Sequence, residues 1–217
     1  YILGPEVEEL ESQLAEFAGI GRALSCANGT DAILLPLMAW GIGPGDAVFV
    51  PSFTFASTAE VVVLAGASPV FVDVDPNTYN MSPTSLEAAI KAVKDAGELT
   101  PRAVIAVDLF GQPANYPSLA PIAREADLKL ISDCAQAYGS TLDGQASLAW
   151  ADVLTVSFYP AKPLGGYGDG GAVLCKDEAL YDTMRSVRVH GEGATRYEYA
   201  RIGLNSRLDT LQAAILL

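Results

Sequence analysis

Histidine and cysteine are scarce in this sequence of 217 residues, and their scarcity narrows the chemistry it can perform. There is one histidine, His190, and there are three cysteines, Cys26, Cys134 and Cys175. The cysteines have neither metal-binding nor redox spacing, and each lies in or beside an apolar run, which predicts buried free thiols. A zinc site is therefore poorly supported. So is a Ser-His-Asp triad, because no G-x-S-x-G elbow is present.

Basic residues and long apolar runs are scarce as well. The chain has 13 Lys and Arg against 26 Asp and Glu, a formal net charge of −13. A surplus of positive charge is needed to bind a nucleic-acid backbone, so the composition excludes nucleic acid as a polymer partner. The longest apolar stretch, Ala32 to Ile42, is too short to span a membrane, which takes about 20 residues. Half of the residues are hydrophobic, enough for a packed core.

The basic charge is concentrated near the end of the chain. Residues 1–150 hold 6 basic and 18 acidic side chains, whereas residues 151–217 hold 7 and 8. Five of the basic residues are arginines between Arg185 and Arg207. Such a segment can hold a small anion, or it can be an ordinary solvated helix and loop. The charge pattern alone leaves both interpretations open.

Strand and helix patterns alternate along the whole chain. Short apolar runs typical of buried strands lie at 23–27, 47–51, 69–73, 103–108, 128–133, 153–158 and 172–175. Between them, apolar residues recur at helical spacing. The first helix is marked by Val7, Leu10, Leu14 and Phe17. This alternation predicts a single α/β domain, a three-layer α/β/α sandwich with a mostly parallel sheet.

The two ends of the chain indicate a piece of a longer protein. No Met begins it, and the apolar helical run from Leu208 to Leu217 has no cap, Gly or Pro to end it. We expect residues 1–217 to be one domain of that protein.

Polar residues follow several predicted strands, which is where ligands bind in such sheets. Gly29-Thr30 begins a predicted helix, Asp133 ends a strand, and Lys162 follows another strand. Each has an ordinary structural explanation, as a helix start, a cap and a surface lysine. Together they are the parts that a pyridoxal phosphate enzyme needs: N–H groups for a phosphate, a carboxylate for the pyridine nitrogen, and a lysine that forms a Schiff base.

The segment 166–171 (GYGDGG) matches the dinucleotide-binding pattern G-x-G-x-x-G. That pattern binds a dinucleotide where it opens a helix. Here it leads into 172–175 (AVLC), which predicts a strand. We therefore interpret the match as coincidental.

Five segments resemble the DegT-type sugar-nucleotide aminotransferases, which are fold type I pyridoxal phosphate enzymes. In order, they are 26–32 (CANGTDA), 51–58 (PSFTFAST), 132–137 (SDCAQA), 157–162 (SFYPAK) and 203–209 (GLNSRLD). The resemblance implies the large domain of a fold type I aminotransferase, with the C-terminal small domain missing. It also implies pyridoxal 5'-phosphate as the cofactor.

Roles around the cofactor ring follow from the resemblance. Lys162 would be the catalytic residue, bonded to the cofactor and later moving the proton. Asp133 would pair with the pyridinium nitrogen. Gln136 would contact the phenolic oxygen, and Phe55 would stack on the ring.

Roles around the phosphate and the substrate follow in the same way. Gly29, Thr30 and Ser157 would bind the cofactor phosphate. Asn205 would reach the phosphate of the neighbouring subunit, which implies a homodimer with shared active sites. Arg207 is the candidate substrate-binding residue, for a carboxylate of the sugar or of glutamate.

Segments 162–171, 188–191, 196–197 and 201–214 are most similar to one branch of this family. That branch aminates the 3-keto group of UDP-N-acetyl-hexuronic acids, with glutamate as donor, for bacterial surface polysaccharide such as lipopolysaccharide. The implied protein is a cytoplasmic transferase. Two alternatives stay open: an aminotransferase acting at the 4-position of a deoxy keto sugar nucleotide, and a non-catalytic, cofactor-binding regulatory homologue. A sugar dehydratase of the same fold is disfavoured, because such enzymes lack the lysine found here as Lys162.

Three residues depart from the family pattern. Many members have Glu and His where this chain has Ser132 and Tyr138, and we expect an effect on sugar choice rather than on cofactor chemistry. Pro36 falls inside the second helix, whose pattern ends near Gly41. We expect a bend there or a shorter helix.

Overall fold

The computed structural model describes residues 1–19, 21–195 and 197–217. Ile20 and Arg196, one of the five arginines near the end, lie outside the described residues. The strands are β1 (Arg22–Cys26), β2 (Asp46–Pro51), β3 (Ser68–Val72), β4 (Thr100–Val107), β5 (Lys129–Asp133), β6 (Val153–Ser157) and β7 (Gly171–Cys175). The helices are α1 (Pro5–Ala18), α2 (Gly29–Ala39), α3 (Ser57–Leu64), α4 (Pro83–Ala96), α5 (Tyr116–Glu125), α6 (Glu178–Arg188) and α7 (Thr210–Leu216).

The seven strands form one sheet in the order β1-β7-β6-β5-β4-β2-β3. Neighbours are parallel except that β7 runs antiparallel to β1 and to β6. The predicted mostly parallel sheet is confirmed. Because six strands share one direction, their carboxyl ends meet at one edge of the sheet, the C-terminal edge.

Helices cover both faces of the sheet, which confirms the three-layer sandwich. On one face, α4 and α5 pack on Phe49, Val104 and Leu130, while α1 and α7 pack on neighbouring strands. On the other face, α2 and α3 pack on Val48 and Ile131, and α6 lies beside them. Alternate strand residues point to opposite faces, so both faces need apolar side chains, and the strands are nearly continuous hydrophobic runs.

Two details of the helices differ from expectation. In α1, Val7, Leu10 and Leu14 are buried, but Phe17 is 67% exposed and its expected place in the core is wrong. It lies at the last turn, and its ring contacts Tyr138 instead. Helix α2 runs through Pro36 and ends at Ala39, slightly shorter than its pattern. Pro36 supplies no N–H to the carbonyl of Ala32, but the N–H of Trp40 still donates to Pro36 O at 2.9 Å.

The glycine-rich segment 166–171 leads into β7 rather than into a helix, as expected. Its glycines allow close packing. A Cβ at Gly166 would lie 2.8 Å from Gln212 Oε1, and one at Gly171 would lie 2.5 Å from the carbonyl oxygen of Asn28. The contact at Gly171 is with backbone and requires glycine, whereas at Gly166 the flexible Gln212 side chain can move; close packing thus explains Gly171 without a dinucleotide.

All three cysteines are free and buried. Within the described ranges, no group of histidine, cysteine and acidic residues has the geometry of a metal site. Of the helices in the same ranges, none combines the length and the apolar character required to traverse a bilayer.

Candidate functional site

The candidate site lies at the C-terminal edge, where β5 ends at Asp133 and β6 ends at Ser157. Asp133 pairs with Thr155 of β6, and Ser157 pairs with Gly171 of β7. Asp133 has the same strand parity as Ile131, which packs under α2 and α3. The side chains of Asp133 and Ile131 therefore both point to the face of the sheet on which α2 begins.

The first turn of α2 meets the end of β6. A Cβ added to Gly29 would lie 2.7 Å from Ser157 Cβ and 3.0 Å from Ser157 Oγ, so the contact needs glycine. The cap residue Asn28 accepts the N–H of Asp31 at 2.8 Å through its side chain and the N–H of Ala32 at 3.1 Å through its carbonyl. Among the described residues, the N–H groups of Gly29 and Thr30 have no partner. A helix start with free N–H groups beside a serine hydroxyl is a geometry that favours the binding of an anion.

Asp133 is a buried carboxylate, 5% exposed. Its Oδ1 accepts the N–H of Ala135 at 3.0 Å, and no arginine or lysine of the described chain forms an ion pair with it. Burial raises the pKa of Asp133 to about 6, with the negative charge of Asp108 acting in the same direction and Lys162 opposing it. The site thus holds a carboxylate whose negative charge lacks a paired cation.

Lys162 lies in the connection between β6 and β7, on the same edge. Its backbone N–H donates to Tyr159 O at 2.8 Å, and Gly166 N–H closes the loop onto Phe158 O at 2.8 Å. A Cβ at Gly165 would lie 2.6 Å from Pro160 O, so the loop is tightly packed. This packing fixes the backbone that carries Lys162, and the charge of Lys162 acts on Asp133.

Gln136 follows β5 and is held by the segment after β4. Its Oε1 accepts the backbone N–H of Phe110 at 2.8 Å. Phe110 adopts a left-handed backbone conformation with φ 57°, uncommon for a residue with a side chain. Since Oε1 is occupied, the amide of Gln136 offers its NH₂ group, a donor, to a ligand.

Phe55 lies just before α3, on the same face as Asp133, and is 69% exposed. Three further aromatic side chains, Phe53, Tyr79 and Phe110, form a partly exposed cluster on the loops that follow β2, β3 and β4. Their ring centroids are 5.6 to 6.5 Å apart. The cluster and Phe55 together leave apolar area uncovered at the C-terminal edge.

Asn205 and Arg207 lie apart from the other predicted site residues. The guanidinium of Arg207 donates to Asn205 Oδ1, and Asn205 is exposed. Between them, Ser206 Oγ accepts the N–H of Ala27, two residues before α2, at 3.2 Å. The structure brings Gly29, Ser157, Asp133 and Lys162 to one edge but does not join Asn205 or Arg207 to them.

The arginine-rich end is only partly available to an anion. Arg188 is 6% exposed and pairs with Glu11 of α1 at 2.7 Å. It also donates to Ser25 O at 2.9 Å, while Glu11 accepts the N–H of Ser25 at 2.8 Å. The pair therefore satisfies the N–H and the carbonyl of Ser25 on β1, an edge strand of the sheet. Arg188 is therefore engaged in an internal ion pair, which neither of the two interpretations of the arginine-rich end had included.

Ser132 and Tyr138, two of the three departures from the family pattern, form contacts inside the protein. The Tyr138 hydroxyl donates to Leu14 O at 3.2 Å, which ties the segment after β5 to α1. Ser132 is fully buried and shares a hydrogen-bond network with Asp108, Tyr116 and Cys134. Sequence analysis missed that network. The only signal was an acidic residue, Asp108, at the end of a buried strand.

Comparison with known proteins identifies the family of this chain. The sequence profile of the DegT/DnrJ/EryC1/StrS aminotransferase family matches residues 1–217. A curated relative, UDP-2-acetamido-2-deoxy-3-oxo-D-glucuronate aminotransferase of Pseudomonas aeruginosa, is 50% identical over 219 residues, covering 100% of this chain and 58% of the relative. This chain thus spans little more than half the length of that relative.

Solved structures are similar throughout the fold. A DegT DnrJ EryC1 StrS aminotransferase from Brucella abortus superposes with a TM-score of 0.98 at 58% identity, covering 100% of this chain and 58% of that one. The NtdA protein of Bacillus subtilis, solved with bound cofactor PMP, superposes with a TM-score of 0.89 at 31% identity, covering 99% of this chain and 47% of that one. The profile match over the whole length places this chain in the DegT/DnrJ/EryC1/StrS aminotransferase family.

Proposed function

We propose that this chain is the cofactor-binding large domain of a pyridoxal phosphate-dependent sugar-nucleotide aminotransferase. The observation that carries the proposal is the buried Asp133 carboxylate, which has no ion-pair partner in the described chain. A protonated pyridine ring would supply the missing positive charge. The pairing would lower the cost of keeping Asp133 ionised in a buried position.

The rest of the edge fits the other end of the same cofactor. The free N–H groups of Gly29 and Thr30, the Thr30 hydroxyl and the Ser157 hydroxyl would hold its phosphate. Gly29 leaves the room for this, since a side chain there would collide with Ser157. Gln136 would donate to the phenolic oxygen, because the N–H of Phe110 occupies its Oε1. Phe55 would cover one face of the ring.

Pyridoxal phosphate would supply an electron sink for amino-group transfer. In this chain, Lys162 would hold the cofactor covalently and, once released, would move a proton at the reacting carbon. The packed loop 158–170 would hold its amine close to the ring. Asp133 would keep the ring nitrogen protonated, which maintains the electron demand.

The name of a relative indicates the class of substrate. The Pseudomonas aeruginosa relative is named for a UDP-linked 3-oxo-glucuronate. We assign the present protein to the same reaction class: amination of the 3-keto group of a UDP-N-acetyl-hexuronic acid, with glutamate as amino donor, for surface polysaccharide such as lipopolysaccharide. Arg207 would bind a carboxylate of one of the two substrates.

The proposal also covers the oligomeric state and the cellular compartment. The exposed aromatic cluster and the exposed Asn205 support a homodimer in which Asn205 reaches the phosphate site of the neighbouring subunit. A small domain would complete each subunit, since the matched relatives are longer. Free cysteines support the cytoplasm as the compartment.

The experiment uses the full-length protein loaded with pyridoxal phosphate. The bound cofactor should absorb in the visible or near-ultraviolet range, and glutamate should bleach that band while 2-oxoglutarate appears. A panel of 3-keto and 4-keto nucleotide sugars then identifies the acceptor. No cofactor band, or a band that glutamate leaves unchanged, would contradict an aminotransferase that uses glutamate.

Mixing variants tests the shared site. Lys162→Ala and Asn205→Ala proteins should each be impaired alone, whereas mixed dimers should regain activity at the one site that combines both intact residues. No recovery in a confirmed mixed dimer would contradict the role of Asn205.

A further inference from the structure

A second buried carboxylate lies directly beside the first. Asp108 follows β4, is fully buried, and donates its N–H to Asp133 O at 2.9 Å. Its side chain points to the other face of the sheet from Asp133, since it contacts Ser132, which precedes Asp133 on β5. The two carboxylates therefore flank the end of one strand.

The Asp108 carboxylate is held by several donors and by no cation of the described residues. Its Oδ1 accepts the Tyr116 hydroxyl at 2.6 Å and the Ala114 N–H at 2.8 Å. Its Oδ2 accepts the Cys134 thiol at 2.9 Å and lies 3.5 Å from the Ser132 hydroxyl. Such an arrangement satisfies an ionised carboxylate, which accepts hydrogen bonds only.

The groups around Asp108 stay protonated and act as donors. Burial, together with the charge of Asp108, raises the pKa of Tyr116 and that of Cys134. Ser132 from β5 and Ser147 from a 3₁₀ turn complete the network, with their hydroxyl oxygens 2.6 Å apart. Burial also raises the pKa of Asp108 itself, and the hydrogen bonds that it accepts oppose that effect. The charges of Asp108 and Lys162 both act on Asp133, in opposite directions.

We propose that Asp108 is a positioning residue that holds the end of β5 and, as a buried negative charge, strengthens the hydrogen bond between Asp133 and the cofactor's ring nitrogen. The inference rests on the proposed function. A nearby negative charge makes Asp133 a stronger proton acceptor, and a stronger acceptor holds the ring N–H more tightly. Ser132 belongs to the same hydrogen-bond network, because its hydroxyl lies between Asp108 and Ser147.

The test is the titration of Asp133 in the full-length apoprotein, followed by carbon NMR of the labelled carboxyl. In Asp108→Asn, we expect the midpoint of Asp133 to fall by about one pH unit or more. The amide can keep the network, since its oxygen can still accept from Tyr116 and Ala114 and its NH₂ can donate to Cys134 and Ser132. For every pH unit by which the midpoint falls, the affinity for pyridoxal phosphate should weaken about tenfold.

Two further variants serve as a control and as a second test. Asp152→Asn removes a carboxylate from the other end of β5, where Asp152 accepts the N–H of Leu130 at 2.8 Å, and should leave the Asp133 midpoint unchanged. Tyr116→Phe removes one donor to Asp108 and should move the midpoint in the same direction but less, which keeps the test usable if Asp108→Asn does not fold.

The outcomes separate this inference from the proposed function. An Asp133 midpoint that stays the same in folded Asp108→Asn, or in Tyr116→Phe where Asp108→Asn does not fold, overturns the inference even if the enzyme is active. A midpoint that moves in a protein that binds no pyridoxal phosphate supports the coupling of the carboxylates and overturns the proposed function instead.

Discussion

Two acidic groups of this chain, the half-buried Glu11 and the buried Asp133, have opposite surroundings. Glu11 pairs with Arg188 at the β1 edge, where both form hydrogen bonds with the backbone of Ser25. Asp133, at the C-terminal edge, has one backbone N–H and no ion pair in the part of the chain described. A charge neutralised inside the chain indicates structure, whereas a charge left for an outside partner indicates a binding site.

The largest effect is expected at the lysine beside the uncompensated carboxylate. Replacing Lys162 with Ala in the full-length enzyme should reduce amino transfer by roughly 1,000-fold or more, because both cofactor attachment and proton movement are lost. Steady-state kinetics with glutamate measures this. Lys176→Ala, an exposed lysine after β7, should retain full activity. A Lys162→Ala enzyme with near-normal turnover would remove the basis of the proposed function.

Breaking the internally paired group should cost stability rather than catalysis. Arg188→Met should lower the free energy of unfolding by about 3–5 kcal/mol, since Glu11 is left buried without its cation. The double variant with Glu11→Leu should recover much of that loss. Urea denaturation of the full-length protein provides the values. In the exposed Lys91–Asp95 pair, Lys91→Met should change stability by at most about 0.5 kcal/mol. Equal effects at the two pairs would contradict the distinction.

The unpaired carboxylate should make the apoprotein sensitive to pH. The pKa of Asp133 is raised to about 6 in the folded protein, above its value near 4 in an unfolded chain. The folded state therefore binds the proton more tightly, and stability falls as the pH rises from about 4 to 6. Above this range, Asp133→Asn should be more stable than the wild type by about 2–3 kcal/mol, a difference that disappears below pH 4.

Thermal denaturation across pH, with and without pyridoxal phosphate, checks this. Loading the wild type with cofactor should reduce the penalty, since the ring supplies a positive partner. A stabilising effect of Asp133→Asn that is equally large at pH 3.5 and pH 7.5 would show that ionisation is not its cause.

A smaller effect is expected from the space around the phosphate site. Gly29→Ala places a Cβ 2.7 Å from Ser157 Cβ, so one of the two segments must move. We expect a loss of about 1–3 kcal/mol in stability and about tenfold weaker pyridoxal phosphate binding. Calorimetry and titration measure the two effects. Gly43→Ala, whose Cβ would meet only Ala65 O at 3.5 Å, should be near neutral.

Much of the fold could be predicted because local patterns and burial agree. The strands are continuous apolar runs, and each predicted strand matches an observed one to within three residues at either end. The antiparallel direction of β7 was not predicted, because a short apolar run carries no sign of its direction. Phe17 was misplaced for a similar reason: its spacing fits the buried face of α1, but the helix ends before the sheet can cover it.

The candidate site divides in the same way. Gly29, Asp133, Ser157 and Lys162 could be chosen because each follows or begins an element whose end was visible in the sequence. The Asp108 network could not, since its members come from α5, from β5 and from the segments that follow β4 and β5. Nor could the burial of Arg188, whose partner Glu11 is 177 residues away in the chain.

The sequence by itself determined the α/β class and the residue types at the strand ends, because these depend on periodicity and composition. Only the tertiary structure decided which charges are neutralised. A salt bridge requires two side chains at hydrogen-bond distance, and that distance depends on how the strands are ordered in the sheet. For that reason, Arg188 is part of the scaffold, Asp108 lies on the opposite side of β5 from Asp133, and Asp133 has no cation paired with it among the described residues.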